Sequence, residues 1–463
     1  MIEKKWNTKH FQNALSLNKK IETSIKGISI NTRSLKKNNL FLPLKGKRFD
    51  GHQYIHEAFK KGASLSLANK KNYKSFNLQK FKKKIILVDS VISSLHKLAK
   101  YSRKNIDGKV IGITGSVGKT SIKDAITLIL KKKNEVQSSS GNFNNLIGMP
   151  INLANFHNNY EINILELGMN KPGEIKKLSH ICKPDISLIT KISDAHIGNF
   201  KSLKEIVLAK SEIFLGMKKN GTAIINNFDP YYYILKRQLK NSGIKNIINF
   251  GNSKNCDVKL IKYKYENNIC RIFVNAFGKK INYCLKNLGD HWIENSLSII
   301  SVIFALNKNI ESYLGRFEKI EAIKGRGKIT NKKFNNKNIV LIDDSYNSSP
   351  KSLEASIQFL KRFGQKKRKV CVIGDMLELG KFSKKSHENL KRILENNNIY
   401  HIYTIGNEMK SLFNILSKNF TCKHAKDLNE LYTDLKKNIK NNDIILFKGS
   451  RSMHLDKIIK KIK

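Results

Sequence analysis

The apolar positions along the chain change their spacing from one segment to the next. Short apolar runs bounded by Gly, Asn or Asp alternate with longer stretches in which apolar residues recur every three or four positions. Runs of the first kind predict buried strands, and stretches of the second kind predict helices. Strands that alternate with helices along the sequence are typical of a mainly parallel sheet with helical crossovers. The pattern therefore predicts an α/β protein.

Groups of such strands divide the 463 residues into parts. The first group has apolar runs at residues 40–46 and 83–90, and the second contains VIGIT, INILELG, ISLIT and GTAIIN. The third contains NIVLIDDSY, KVCVIGDM, IYTIG and DIILFKGS. We predict three domains: a smaller N-terminal α/β domain at 1–106, a central domain with a mainly parallel sheet at 107–313, and a Rossmann-like doubly wound domain at 314–463. Residues 255–288 alternate in a way that suggests antiparallel strands.

The stretch VIGITGSVGKTSIKD, residues 110–124, joins a predicted strand to a predicted helix through a glycine-rich turn. Free backbone N–H groups and the helix dipole favour a phosphate at such a position. Lys119 can reach the terminal phosphates of a nucleotide, and the hydroxyl of Thr120 can ligate Mg²⁺. The complete P-loop pattern has a glycine where this chain has Ile113, so a turn without a ligand is the alternative. We predict a phosphate-binding turn that opens a helix.

The charge of the chain is strongly positive. It has 87 Lys and Arg residues against 36 Asp and Glu, a formal net charge of +51. Such a balance suggests nucleic acid or another polyanion as partner. The excess is mostly Lys, however, and runs along the whole chain, and Lys, Asn and Ile are all favoured by AT-rich codons. We therefore favour an anionic small-molecule substrate over a nucleic-acid partner.

The cysteines and the lengths of the apolar runs indicate in which cellular compartment the protein is expected. The six cysteines include no C-x-x-C pair, which argues against a structural zinc site or a disulfide framework. The N-terminal stretch MIEKKWNTKHF has no apolar region of a signal peptide, and no run of about eighteen apolar residues could span a membrane. A cytoplasmic protein without a membrane span is expected.

The stretch TGSVGKT resembles the compact P-loop of the Mur ligase family, whose members also lack the first glycine. Other stretches along almost the whole chain resemble the same family: NTRSLKKNNLFLPLKGKRFDGH, GNFNNLIGMPINL, ELGMNKPGEI, DAHIGNF, AKSEIF, GDHWIENSLSI, KGRGKI, IDDSYNSSPKSLEAS, VIGDMLELG and FKGSRSMHLD. The DDSYN-x-x-P and GDMLELG blocks resemble the branch of the family that adds D-alanyl-D-alanine.

The resemblance implies an ATP-dependent ligase of cytoplasmic peptidoglycan precursor synthesis. ATP would phosphorylate the terminal carboxylate of a UDP-N-acetylmuramoyl-tripeptide, and the amine of D-alanyl-D-alanine would attack the acyl phosphate. The resemblance further implies two Mg²⁺ ions, a central P-loop domain that binds ATP, and a C-terminal domain that closes over it. A monomer without specific nucleic-acid binding is expected. The third residue of the tripeptide, diaminopimelate or lysine, stays open.

The resemblance also implies roles for matching residues. Those expected at the nucleotide are Gly115, Ser116, Val117, Gly118, Lys119, Thr120, Ser121, Asn295, Arg326, Asp344, Tyr346 and Asn347. Those expected at the UDP-linked substrate are Asn31, Thr32, Arg33, Lys45, Arg48, Asp50, His52, Asn142, Asn144 and Asn145. Those expected at Mg²⁺ are Thr120, Glu166, His196 and Lys210. The expected catalytic residues are Lys119, His196 and Lys210, with Lys210 carrying CO₂ as a carbamate.

Simpler interpretations stand beside these roles. Glu166 could be a solvated residue at a strand end, His196 a surface or core residue, and Lys210 one more surface lysine. Two other functions also stay open. One is a sibling Mur-type ligase, such as a folylpolyglutamate-type enzyme, against which the NTR and GKRFDGH stretches argue. The other is a basic P-loop protein that binds nucleic acid, which should show clustered Arg residues or a nucleic-acid-binding motif.

Overall fold

The computed structural model describes residues 6–18, 21, 23–46, 49–131, 135–141, 143–266, 269–286, 289–416 and 419–462. Within these ranges the strands form three separate sheets, and one sheet lies inside each of the predicted domains. The predicted α/β class is confirmed. None of the described helices is both long and apolar enough to cross a bilayer.

The N-terminal domain has a parallel sheet in the order β1-β2-β3-β4. Its strands are β1 (Gly27–Ser29), β2 (Asn39–Phe41), β3 (Leu65–Asn69) and β4 (Ile85–Val88). Its helices are α1 (Thr8–Leu15), α2 (Ile55–Lys60), α3 (Lys70–Tyr73) and α4 (Val91–Lys104). The apolar runs at residues 40–46 and 83–90 contain β2 and β4, as predicted.

The last helix of this domain, α4, joins it to the central domain. Ser90 caps its first turn by accepting a hydrogen bond from the N–H of Ser93. At its other end the buried guanidinium of Arg103 donates to Asp185 at 2.8 Å and to the carbonyl of Cys182 at 2.6 Å. A buried charge of this kind needs a partner, and the pair fastens the two domains together.

The central domain has a sheet in the order β13-β12-β11-β10-β9-β8-β5-β7-β6. Its strands are β5 (Lys109–Thr114), β6 (Val136–Ser138), β7 (Ile162–Glu166), β8 (Ile186–Ile189), β9 (Thr222–Asn226), β10 (Asn246–Gly251), β11 (Val258–Glu266), β12 (Ile269–Ala276) and β13 (Lys279–Lys286). Its helices are α5 (Lys119–Leu130), α6 (Gly148–Asn155), α7 (Glu174–Cys182), α8 (Leu203–Ser211), α9 (Tyr232–Ser242) and α10 (His291–Ala305). Strands β5 to β11 pair in parallel, which confirms the predicted crossover pattern.

The weakly patterned region at 255–288 forms the antiparallel end of this sheet. Strand β12 pairs antiparallel with both β11 and β13, as the alternation predicted. Along β12, Cys270, Ile272, Val274 and Ala276 are buried, while the residues between them are exposed or half-buried. One face of this sheet therefore packs on the core and the other faces outward. Leu288, the predicted end of the region, lies outside the described residues.

The C-terminal domain has a sheet in the order β14-β15-β19-β16-β17-β18, with only the β14–β15 pair antiparallel among the described pairings. Its strands are β14 (Lys328–Phe334), β15 (Lys337–Asp344), β16 (Lys369–Gly374), β17 (His401–Ile405), β18 (Thr421–Ala425) and β19 (Ile444–Lys448). Its helices are α11 (Pro350–Gly364), α12 (Ser383–Glu388), α13 (Leu390–Asn396), α14 (Met409–Ile415), α15 (Leu428–Asn438) and α16 (Asp456–Lys461). This is the doubly wound arrangement predicted for 314–463.

Candidate active site

The glycine-rich turn lies between β5 and α5, as predicted. Gly115 has φ +149° and Gly118 has φ +92°, backbone conformations that other residues rarely adopt. A Cβ atom on Gly115 would lie 1.8 Å from Oγ1 of Thr190. The turn therefore requires glycine at position 115 for space as well as for backbone conformation.

Hydrogen bonds fasten this turn to the loop that follows β8. The N–H groups of Ser116 and Val117 donate to the carbonyl of Lys191 at 2.9 and 3.3 Å. The hydroxyl of Ser116 donates to the carbonyl of Ser193 at 2.9 Å, and that of Thr190 donates to the carbonyl of Val117 at 2.7 Å. The turn and the loop after β8 therefore hold their positions together.

Two lysines converge on the turn. The ammonium of Lys119 donates to the carbonyl of Gly115 at 2.8 Å, and that of Lys210 donates to the same oxygen at 3.0 Å. Lys210 lies in α8 and is only 3% exposed, so the interpretation of a surface lysine is wrong. Burial lowers the pKa of Lys210 well below its ordinary value, and the charge of Lys119 lowers it further.

The pKa of Lys119 is lowered in the same direction. Burial is the largest cause, the carboxylate of Glu166 opposes it, and the guanidinium of Arg326 adds to it. The site thus gathers more positive charge than its own carboxylate neutralises. Such an arrangement favours an anion.

Glu166 ends β7 and is 2% exposed, so it is not a solvated strand-end residue. Its two carboxylate oxygens accept hydrogen bonds from Oγ1 of Thr120 at 2.7 Å and from Nδ2 of Asn144 at 2.8 Å. Mg²⁺ prefers hard oxygen ligands and is usually bound by one or two protein groups together with phosphates and water. The Thr120 hydroxyl and the Glu166 carboxylate fit one such ion.

Arg326 reaches this pair from the segment that precedes β14. Its guanidinium donates to Oγ1 of Thr120 at 3.1 Å and lies over the ring of Tyr346, 4.2 Å from the ring centroid. The N–H of Tyr346 in turn donates to the carbonyl of Gly325 at 2.9 Å. The two residues therefore support each other. The fold thus brings Arg326 to Thr120, which lies 206 residues earlier in the chain.

Asn295 lies in α10 beside the same turn. A Cβ atom on Gly118 would lie 3.3 Å from its Oδ1. Its Nδ2 is buried and has no hydrogen-bond partner among the described residues. A buried amide donor without a partner is costly, and a nucleotide base beside it would satisfy the amide.

Asp344 ends β15 and Asn347 follows it, and both accept hydrogen bonds from a residue that the sequence did not single out. The buried ammonium of Lys448 donates to Oδ2 of Asp344 at 2.7 Å and to the carbonyl of Asn347 at 3.1 Å. The hydroxyl of Ser356 also donates to Oδ2 of Asp344, at 2.6 Å. In this arrangement Lys448 orients the Asp344 carboxylate. Its only signal in the sequence is its position in the stretch FKGS.

His196 lies in the loop after β8 and has φ +65°. Its Nδ1 is paired with a carboxylate oxygen of Glu378, and this contact holds the pKa of Glu378 below its ordinary value. No group of three or more His, Cys, Asp and Glu side chains that could hold a metal occurs among the described residues. The donors of a second Mg²⁺ ion thus remain a prediction.

The residues of the N-terminal domain that are expected at the UDP-linked substrate follow β1 and β2. The ring of His52 is buried, with Nδ1 2.5 Å from Oδ1 of Asp50 and Nε2 accepting the N–H of Asn69 at 3.0 Å. His52 therefore supports the local structure. Lys45 forms an isolated antiparallel bridge with Asp50.

The remaining expected residues are in short loops. The Oδ1 of Asn31 accepts the N–H of Arg33 at 2.9 Å, and Thr32, between them, is buried. The Oδ1 of Asn145 accepts the N–H groups of Ile147 and Gly148 at the start of α6, at 3.1 and 2.8 Å. Arg48 and Asn142 lie outside the described residues.

Family models match most of the chain. The catalytic domain of the Mur ligase family matches residues 24–103, the Mur ligase middle domain matches 113–303, and the Mur ligase glutamate ligase domain matches 325–451. The glycine-rich turn, Glu166, Lys210 and Asn295 lie within the second match, and Arg326 and Tyr346 lie within the third.

Full-length relatives carry the name UDP-N-acetylmuramoyl-tripeptide–D-alanyl-D-alanine ligase. The protein of this name from Rickettsia prowazekii is 38% identical, over 98% of this chain and 99% of its own length. The one from Bacillus subtilis is 31% identical, over 95% of this chain and 93% of its own length.

Solved structures share the whole architecture. A crystal structure of MurF from Acinetobacter baumannii matches with a TM-score of 0.86 and 27% identity, covering 98% of each chain. The MurF ligase from Thermotoga maritima in complex with ADP matches with a TM-score of 0.79 and 29% identity, covering 94% of this chain and 96% of that one. On the evidence of its sequence, its site and these matches, the chain belongs to the Mur ligase family.

Proposed function

We propose that this protein is an ATP-dependent ligase that joins D-alanyl-D-alanine to UDP-N-acetylmuramoyl-tripeptide in peptidoglycan precursor synthesis. The observation that carries the proposal is a cluster of three cations beside the carboxylate of Glu166: Lys119 and Lys210 at the carbonyl of Gly115, and Arg326 at the hydroxyl of Thr120. The names of its full-length relatives support the choice of substrates.

The reaction needs an anion site of this kind. A carboxylate at neutral pH is a poor electrophile, so a terminal carboxylate oxygen of the tripeptide first attacks the γ-phosphorus of ATP and releases ADP. The amine of D-alanyl-D-alanine then attacks the acyl carbon, phosphate leaves, and the amine loses a proton to give the amide. The first step builds negative charge on the leaving ADP and the second builds it on the leaving phosphate, and positioned cations stabilise that charge.

In the proposed mechanism, the residues around the turn bind different parts of the nucleotide and the metal ion. Lys119 would hold the β- and γ-phosphates, as its place at the start of α5 favours. Arg326 would contact the phosphates from the C-terminal domain, so that the site is completed by two domains. Thr120 and Glu166 would hold Mg²⁺, which neutralises phosphate charge when it is bound. The unpaired amide of Asn295 would bind the adenine edge.

Lys210 would act as a carbamate. An uncharged lysine amine adds to CO₂, forms an N–C bond and releases a proton, and the product is an anion with two hard oxygens. The lowered pKa of Lys210 supplies the uncharged amine, and its closeness to Lys119 favours an anion over a second cation. His196 remains a candidate for a second Mg²⁺ ion.

The N-terminal domain would bind the UDP moiety through Asn31, Thr32, Arg33, Lys45, Arg48 and Asp50. Basic side chains suit a diphosphate. The cytoplasm is the proposed location, because its reducing conditions suit the six cysteines, all of which are free thiols.

Phosphate release measured with defined substrates tests the proposal. It should require ATP, Mg²⁺ and UDP-N-acetylmuramoyl-tripeptide, and D-alanyl-D-alanine should accelerate it strongly. Glutamate with a folate acceptor serves as the test of a folylpolyglutamate-type ligase, and duplex DNA or RNA tests the nucleic-acid alternative. Fast release with either of these, indifferent to UDP-tripeptide, would refute the proposal.

A further inference from the structure

The loop after β8 contacts the C-terminal domain as well as the glycine-rich turn. The N–H of Gly198 donates to the carbonyl of Glu378 at 2.8 Å, a backbone hydrogen bond between two domains. In the same loop, burial raises the pKa of Asp194, and the backbone and the charge of Lys351, in the first turn of α11, oppose that rise. We call residues 191–200 the docking loop.

Two glycines permit this contact. A Cβ atom on Gly198 would lie 2.6 Å from the backbone nitrogen of Gly380 and 2.8 Å from the carbonyl oxygen of Glu378. The φ of Gly198 is not in the left-handed region, so alanine would fit its backbone conformation. The closest obstacles to a side chain at position 198 thus belong to the other domain.

The docking loop connects this contact to the phosphate site. Its first residues accept hydrogen bonds from the turn, at the carbonyls of Lys191 and Ser193. Five residues beyond Ser193, Gly198 meets the C-terminal domain. A displacement of the C-terminal domain would therefore also move the loop that is hydrogen-bonded to the glycine-rich turn.

Within the docking loop, His196 faces Glu378. The imidazole is 27% exposed and its Nδ1 is paired with the Glu378 carboxylate. A carboxylate that pairs with one ring nitrogen of an imidazole restrains the orientation of the ring, and the other nitrogen, Nε2, lies on the opposite side of the ring. Glu378 therefore acts on His196 from the domain that must dock.

We propose that Glu378 is a positioning residue of the ligase reaction, which orients His196 only when the C-terminal domain is docked on the Gly198–Gly380 contact. The inference rests on the proposed function, because His196 is a candidate ligand of that site. It makes docking a condition for a complete site, since the carboxylate and its histidine belong to different domains.

The first experiment replaces the carboxylate. Glu378→Ala should lower kcat about 10- to 100-fold with little change in the KM for ATP, the range usual for residues that orient a ligand. Glu378→Gln keeps a side-chain oxygen that can face Nδ1 of His196 and should recover part of the loss. Glu395→Ala, in α13 of the same domain, is the matched control and should behave as the wild type.

The second experiment replaces the glycine and reads docking directly. Amide hydrogen exchange of a peptide covering residues 194–200 should be faster in Gly198→Ala than in the wild type, because the interdomain hydrogen bond is lost, and kcat should fall. Gly315→Ala is the control, since a Cβ atom there meets nothing within 4 Å. Thermal melts of both variants show whether the domains remain folded.

The outcomes separate the two proposals. An active wild type whose Glu378→Ala variant matches Glu395→Ala in kcat overturns the positioning role and leaves the ligase intact. Unchanged exchange and kcat in Gly198→Ala overturns the docking contact even if Glu378→Ala fails to fold. A wild type without tripeptide-dependent phosphate release refutes the proposed function, while the exchange measurement still reports on docking.

Discussion

Lys119 and Lys210 donate to one and the same oxygen, the carbonyl of Gly115, at 2.8 and 3.0 Å. When both amines are protonated they repel each other, and burial lowers the pKa of both. An arriving phosphate would relieve the repulsion at Lys119. Conversion of Lys210 to an anion would relieve it from the other side. The pair is therefore consistent with the proposed nucleotide site and with the proposed carbamate on Lys210.

The first prediction concerns Lys119. In the proposed mechanism, Lys119 neutralises charge on the β- and γ-phosphates as they separate. Lys119→Ala should lower turnover at least ~10²-fold, about 2.7 kcal/mol of transition-state stabilisation. Steady-state phosphate release measures the change. Lys177→Ala, an exposed lysine of α7, is the control and should keep its activity. Near-normal turnover in a folded Lys119→Ala variant would remove this lysine from the mechanism.

The second prediction concerns stability and pH. The pKa of Lys210 is lowered in the folded protein, so the unfolded chain binds the proton more tightly. Stability then falls as the pH drops from the ordinary lysine pKa of about 10.4 toward the lowered value, because protonation favours the unfolded state. Lys210→Met removes this group and should be more stable than the wild type, with a difference that grows as the pH falls through this window.

Thermal melts in CO₂-free buffer without nucleotide measure this difference. The exposed Lys177→Met serves as the control, and its melting temperature should follow that of the wild type at every pH. A difference between Lys210→Met and wild type that does not change with pH would show that the buried amine does not titrate as inferred.

The third prediction concerns Arg326 and the ring beneath it. Arg326→Ala removes a cation that the C-terminal domain delivers to Thr120, so kcat should fall at least ~10-fold. Arg326→Lys should recover only part, because lysine lacks the planar fork that both donates and stacks. Tyr346→Phe keeps the ring and should be close to wild type, whereas Tyr346→Leu should be impaired. Equal rates for Phe and Leu at position 346 would exclude a role for the stacked ring.

Local patterns were sufficient to predict much of the fold. The run VIGIT and the helical spacing of Ile122, Ile126 and Ile129 identify β5 and α5, because buried elements carry their periodicity in the sequence. Edge strands are harder to predict from the sequence, because they are less buried. Strand β18, TCKHA, pairs only with β17 among the described strands and leaves most of its side chains exposed or half-buried, so no apolar run marks it.

The candidate site likewise contains features that the sequence predicts and features that it does not. Spacing alone identifies the turn with Lys119 and Thr120, since strand, glycines and helix are adjacent in the chain. Spacing cannot bring Arg326 to Thr120, and only the resemblance to a family suggested it. The Glu378–His196 pair and the buried Lys448 depend on how two domains and two strands meet. Neither leaves a local pattern, because the partners are distant in sequence.

The last prediction concerns the carbamate on Lys210. If the lysine acts as an anion, Lys210→Ala should fold normally and lose most ligase activity. Formate or acetate, small enough for the vacated space, should then restore part of the rate by supplying carboxylate oxygens as Mg²⁺ ligands. Lys210→Arg should not be rescued, because a guanidinium still occupies the site with a positive charge.

Ligase rate against added carboxylate, with thermal melts of each variant, measures the rescue. Lys177→Ala controls for general effects of the added salt and should show no acceleration. Carbon-13 NMR with labelled bicarbonate provides a readout independent of activity, since the wild type should show a carbamate resonance that Lys210→Ala lacks. Full activity of Lys210→Ala without any additive would rule the carbamate out, and Lys210 would then serve only to hold the carbonyl of Gly115 from the side of α8.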